Sequence, residues 1–359
     1  MSKRADAGLI APAELDDRDL SSWGELAERS SEPNPFHHPD FVLPAARALD
    51  RVEDISILRI DAVDGAWTGC LPVIRERGWH SLPLRSLATW LHPYSLLGSP
   101  LLAPDDPDAH RSALVETMLS EDAVAGLDWI PDDHAIDGAV ELSGFERPVL
   151  RRQADGDYLG ERVKGKHRRE FRRLARGLEE ELGGPLELVD RSSEDEAVEG
   201  FLKLEASGWK GRDGTALASV PAHADFFRDV ARRFRRRDAF ELLTLEAGGR
   251  TAAARCSLLA GGVGFCFKIA YDEDLSRYSP GRELELRVID RFHEDPGMRW
   301  LDSCAQPGSQ VFERLWPDRR RLVTVACTGG GAGARALRAA LSGAAALRRQ
   351  RERSAGAAE

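Results

Sequence analysis

Apolar spacing is most readable over residues 262–304. The run GVGFCFKIAY (262–271) is apolar and aromatic-rich, as a buried strand requires. A polar stretch, DEDLSRYSPG (272–281), then yields to helical spacing from Gly281, with Leu284, Leu286, Val288, Ile289 and Phe292 as its buried positions. MRWLDS (298–303) predicts a short strand. Upstream, the pattern predicts a strand at 186–189, a helix from a capping-box spacing at Ser193 and Glu196 to residue 206, and a helix opened by Pro221 and running to 236. Strands at 240–246, 251–259 and 263–271 follow as a meander, joined by the turns Gly248–Gly249 and Gly261–Gly262. A short helix near 309–315 and a strand at 322–327 complete a β-α-α-β-β-β-α-β-α-β order.

The first half reads as a blurred copy of that order. Helices are predicted at 20–27, 39–49 and 107–119, and strands at 55–60, 67–73, 84–90, 127–130 and 148–152. Two halves with one order suggest a duplicated α/β domain. The first-half counterpart of the 272–281 loop, HPYSLLGSPLLAPDDP (92–107), has no arginine before its glycine, so chemistry is expected in the second half. Between the halves, KGKHRREFRRLAR (164–176) carries Lys164, Lys166, Arg168, Arg169, Arg172, Arg173 and Arg176 against Glu170. Val163, His167, Phe171, Leu174 and Leu178 form its docking stripe, so an amphipathic, strongly basic helix is expected. The organisation anticipated is a first domain at 1–155, a connecting helix at 156–182, a second domain at 183–330 and a low-complexity helical tail at 331–359.

Composition narrows the partners. With 50 basic and 60 acidic residues, the balance offers no global reason to expect nucleic acid. Positive charge is almost all arginine, which makes Lys268, inside an apolar strand, conspicuous. The five cysteines show no CxxC spacing or pairing with histidine, so buried free thiols in a reducing compartment are expected, with no metal. The uncharged run 256–267 is too short to span a bilayer, and no apolar leader follows Ser2, Lys3 and Arg4; a soluble cytoplasmic protein is the expectation.

Three groups of residues point to chemistry. Arg277, Ser279, Gly281 and Arg282 stand where a loop meets a helix N-terminus, a setting in which free N–H groups, the helix dipole and arginine suit an anion. An ordinary turn would look the same. Lys268 is costly in an apolar strand unless paired or used. If the strand alternates, Phe267, Ile269 and Tyr271 share one face and Lys268 and Ala270 the other, with Glu205 or Asp302 as ion-pair partners. Trp209, Lys210 and Gly211, in a loop after the first helix, combine an aromatic with a cation; the alternative is a tryptophan plugging the domain junction.

Several strings sharpen this picture: LEASGWKGRDGTAL (204–217), FKIAY (267–271), RYSPG (277–281), LWPDRR (315–320) and the arginines at 168–173. With the element order, they resemble the GNAT acyltransferase fold, and within it the CelD-like acetyltransferases associated with bacterial cellulose or exopolysaccharide synthesis, a family similar in turn to the Fem-type aminoacyl transferases. The resemblance is close from about residue 164 to 320. It implies two tandem GNAT-like domains, each a mostly antiparallel twisted sheet flanked by helices, and an acyltransferase that takes acetyl-CoA or another acyl-CoA as co-substrate. It also implies a small-molecule or glycan acceptor, an amino or hydroxyl group of a sugar or nucleotide-sugar, in the cleft between the halves. The donor site falls on Arg277, Ser279, Gly281 and Arg282, and acceptor contacts on Glu205, Trp209 and Lys210. Lys268 is the oxyanion or acceptor ligand, Asp302 a candidate base, and Tyr271 or Tyr278 a proton donor to the departing thiolate. The loop departs from the usual Q/R-x-x-G-x-G/A pattern by having a single glycine. Cys304 has no histidine placed to activate it as a nucleophile. The rival readings are a Fem-type transferase using aminoacyl-tRNA held by the basic helix and a silent scaffold of a polysaccharide-synthesis complex; a homodimer stays open.

Overall fold

The protein is described by a computed structural model covering residues 6–49, 54–81, 84–134, 136–152, 158, 160 and 165–356. The chain divides into two compact units, residues 1–46, 50–146 and 320–359 in one, and 47–49 and 147–319 in the other. Each is mixed α/β, a mostly antiparallel sheet covered by helices.

In the first unit the strands β1 (Asp6–Ile10), β2 (Ile55–Asp61), β3 (Trp67–Arg77) and β4 (Arg85–Thr89) pair in sequence as antiparallel neighbours. β4 then runs parallel to β6 (Val124–Pro131), which pairs antiparallel with β13 (Asp318–Thr328) over residues 322–328. The two-residue β5 (Leu101–Leu102) lies against β3. Helices α1 (Asp17–Arg29), α2 (Pro39–Ala48) and α3 (Pro107–Glu121) match the predicted spans to within a few residues. Leu58, Leu71, Val73, Leu114, Met118, Leu127, Val323 and Val325 form the core. β1 and β5 escaped prediction, one lying at the chain start and the other too short to show a period. The strand expected at 148–152 is the end of the longer β7 (Val140–Arg151). The tail is a helix, α10 (Ala332–Gly356), and no helix among the described residues is long and apolar enough to cross a membrane.

The second unit orders its strands as the end of β7, β12 (Trp300–Asp302), β11 (Val263–Tyr271), β10 (Arg250–Ala260), β9 (Phe240–Ala247) and β8 (Glu187–Asp190). Its helices are α4 (Gly165–Leu182), α5 (Asp195–Ser207), α6 (Trp209–Arg212), α7 (Pro221–Arg235), α8 (Pro280–Glu294) and α9 (Gln310–Leu315). In α4, Phe171, Leu178 and Leu182 are buried while His167 and Leu174 are half-buried; Val163 and Lys164 lie outside the described residues. The capping box expected at Ser193 and Glu196 is absent, because Glu194 takes the N-cap position of α5 without a side-chain bond. Trp209 and Lys210, expected in a loop, begin the single-turn helix α6.

Two departures from regular pairing create the site. β11 and β12 are parallel neighbours for only three residue pairs, Val263–Trp300, Gly264–Leu301 and Phe265–Asp302, and then separate. A bulge interrupts β10 and β11: Ser257 opposes Cys266 and Cys256 opposes Lys268, so Phe267 is the extra residue in the register. The predicted alternation therefore breaks. Phe267 stacks on Phe227 of α7, 6.2 Å between ring centroids, and Lys268 reaches Glu205 of α5, whereas Ile269 and Tyr271 pack with the core under α8.

Candidate active site

Where β11 and β12 part, a cavity of about 860 Å³ opens, walled by β11, α6, the first turn of α8 and α9. Openings beyond the carboxyl ends of parallel strands are common ligand sites in α/β folds. Its charged lining side chains among the described residues are Lys210, Lys268, Arg282 and Arg314, all cationic. Among the described residues no carboxylate lines it, in a chain of net charge −10. The enrichment is local and opposes the global charge.

The four cations fall into two pairs. Lys268 and Lys210 share one carboxylate oxygen of the buried Glu205, with Nζ–Oε1 separations of 3.5 and 3.2 Å. The other oxygen of Glu205 accepts the Leu217 N–H at 2.9 Å, and Lys210 also donates to the Ile269 carbonyl at 3.0 Å. Burial lowers the Lys268 pKa below its ordinary value; Lys210 pushes the same way, and Glu205 only partly offsets them. On the other wall the Arg282 guanidinium lies 4.4 Å from the centroid of the Phe171 ring, with Arg314 close enough to join desolvation in lowering its pKa.

Ser279, in the left-handed conformation (φ 56°, ψ 56°), turns the chain into α8. Pro280 has no N–H to offer, and the N–H groups of Arg282 and Glu283 return to the Ser279 carbonyl at 3.0 and 3.2 Å. The loop is thus poor in free donors, and arginine supplies what glycine-rich loops obtain from backbone.

Of the residues singled out from sequence, Lys268, Lys210, Trp209, Tyr271, Ser279, Gly281 and Arg282 line this cavity, with Glu205 buried directly behind its lysines. Three do not. On the 3-10 helix Glu273–Tyr278 the exposed Arg277 turns outward while the half-buried Tyr278 packs against the core, and both bind the Glu181 carboxylate, Tyr278 Oη at 3.1 Å. Asp302 is buried, accepting from Arg147 Nη2 at 2.7 Å and from the Cys304 N–H at 2.8 Å, so it fixes the turn after β12.

Sequence reasoning missed Arg314 and Arg255. Arg314 has a helical signal, since Phe312 and Leu315 of the short α9 are buried and leave Arg314 on the open face. Arg255 has the same signal as Lys268, a charge in an apolar strand. It is fully buried and paired with the fully buried Glu285 of α8 at 3.2 Å, its guanidinium 5.7 Å from the centroid of the Trp316 ring. Burial pushes the Glu285 carboxyl up to about 7.

Residues 165–314 match the acetyltransferase (GNAT) domain family. The matched segment contains all the lining residues of the cavity. No curated protein matches the chain by sequence. Solved structures share the fold at low identity. FemX aligns at 10% identity over 90% of this chain and 97% of its own, with a TM-score of 0.57. The C-terminal domain of a lysylphosphatidylglycerol synthetase from Agrobacterium fabrum aligns at 14%, over 91% and 94%, with a TM-score of 0.52. L-PGS from Bacillus licheniformis aligns at 12%, over 91% and 96%, with a TM-score of 0.53.

Proposed function

We propose that the GNAT segment transfers an acyl group from an acyl-CoA to an amino or hydroxyl nucleophile, with sugars and nucleotide-sugars as the acceptor class, and that the first unit is a degenerate GNAT-like domain. The observation that carries this reading is the opening between parted parallel strands whose charged lining side chains are all cationic. The donor set fits a phosphate-rich donor: Arg282 and Arg314 supply charge beside the start of α8, where the helix dipole adds to it. The edge of β11 beyond Phe265, released from β12, offers backbone groups to an extended chain between phosphates and thioester. Lys268, held by Glu205, donates to the carbonyl oxygen as negative charge develops during attack. Tyr271, which lines the cavity, is the candidate proton donor to the leaving thiolate. Asp302 is assigned to the scaffold. Membership of the CelD-like group and a place in polysaccharide synthesis are part of this reading.

Thermal melting of the full chain with millimolar acetyl-CoA tests it. Stabilisation that disappears in Arg282→Ala is expected; no shift with any acyl-CoA would overturn it. A second reading, transfer from aminoacyl-tRNA, draws on one further observation. Phe171, the residue under Arg282, belongs to α4, whose exposed side chains include Lys166, Arg169, Arg172, Arg173 and Arg176. Salt-sensitive tRNA binding lost on neutralising Arg169, Arg172 and Arg173 would favour it over acyl-CoA.

A further inference from the structure

We infer that the acceptor carries an anionic group, phosphate or carboxylate, and that Lys210 binds it together with one N–H of Lys268, whose ammonium keeps another for the carbonyl oxygen; the inference rests on the acyltransferase reading and names its substrate class. The two cation pairs stand on different elements. Arg282 and Arg314 belong to α8 and α9, whereas Lys210 and Lys268 belong to α6 and β11 and are tied to Glu205 of α5. Repulsion runs within each pair, Arg314 on Arg282 and Lys210 on Lys268. A donor whose phosphates sit at the arginines leaves the lysines to another anion.

Glu205 makes the lysine pair a built site. The carboxylate is buried and held from behind by the Leu217 N–H, so it cannot itself turn to meet a ligand in the cavity. It holds two ammonium groups at the cavity wall, and their like charge so close together is relieved by an anion in front of them. Trp209, 48% exposed, stands next to Lys210 and offers an aromatic face to the rest of the acceptor. A neutral amine or sugar brings no charge of its own to the two ammonium groups that Glu205 holds there. An acceptor with an anionic oxygen group gains charge-assisted hydrogen bonds and orients its nucleophile relative to Lys268.

The test uses the full chain saturated with coenzyme A, so that Arg282 and Arg314 are engaged. Melting temperatures are compared for glucosamine 6-phosphate against glucosamine and for glycine against glycinamide. The charged member of at least one pair should stabilise and its neutral analogue should not; which pair responds identifies phosphate or carboxylate as the source of the anion. Lys210→Met should weaken that response about tenfold or more, and Lys210→Arg should restore it if charge is what matters. Equal shifts from charged and neutral members, no shift from either anion, or an unchanged response in Lys210→Met each overturn the inference. If coenzyme A itself produces no shift, the acyl-CoA reading fails, and the same comparison without it still decides whether the lysines select an anion.

Discussion

Two charge clusters lie on neighbouring strands of the second unit and lead opposite lives. Lys268 on β11 and Arg255 on β10 each place a cation in an apolar strand and each meet a glutamate from a helix, Glu205 and Glu285. The Lys268 side chain keeps 18% of its surface exposed and lines a cavity; Arg255 and Glu285 are fully sealed. Sealing is expensive. Glu285 Oε1 and Trp316 Nε1 are buried with no hydrogen-bond partner among the described residues. What such a pair does is local: Glu285 follows Gly281 by one helical turn, so the pair ties the start of α8, and with it Arg282, to the sheet. One cluster lines the cavity and the other holds the helix that walls it. The same sequence signal therefore has two meanings, and only exposure separates them.

That contrast can be broken by substitution. The largest effect belongs to the sealed cluster: Arg255→Met alone should cost about 3–5 kcal/mol in urea unfolding, because it strands Glu285, while Arg255→Met with Glu285→Met should recover most of the loss. If the single substitution is as stable as the wild type, the pair has no positioning role. Lys268→Met should leave stability within about 1 kcal/mol yet lower kcat by about 10²–10³, the cost of losing one oxyanion donor. Equal losses in both properties would erase the distinction between the clusters.

The pH profiles sharpen it further. Burial holds the Lys268 pKa below its ordinary 10.5, so kcat should fall as pH rises through that lowered value, and Lys268→Arg should move the fall upward. Glu285 behaves oppositely in stability. Its folded-state pKa of about 7 exceeds the ordinary 4.5, so the folded protein keeps a proton that the unfolded chain releases. The associated stability is present below 4.5 and is lost as pH rises through about 7; the urea midpoint should fall across that window. The double Met substitution should flatten this slope, leaving the part from Glu283, a residue of the same helix that burial also pushes up to about 7.

Smaller effects follow at the donor wall. Arg282→Ala should weaken acetyl-CoA binding about tenfold, as expected for one lost charge-assisted contact, measured by titration calorimetry. Arg277→Ala should change neither affinity nor stability detectably, since its contacts are to Glu181 and Tyr278 at the surface. A large effect of Arg277→Ala would return the donor site to the loop tip.

Helices and strands of the second unit were legible because their periods are long and their turns explicit: Gly248–Gly249 and Gly261–Gly262 mark the meander, and Pro221 opens α7. The position of Lys268 in a strand was also legible from residue type and spacing, with Glu205 as one of two partners left open beside Asp302. What those periods could not carry is the bulge at Phe267, which depends on how β10 happens to register against β11 and places Lys268 and Phe267 on the same side. Nor could they tell Arg282 from Arg277, five residues apart, because the 3-10 turn and the left-handed Ser279 send one inward and the other to solvent. Patterning determines which segments bury a face, since transfer from water depends on each residue's own surface. Which polar side chains then share a cavity is decided by strand register and helix docking, and those are properties of pairs of segments that no single stretch of sequence contains.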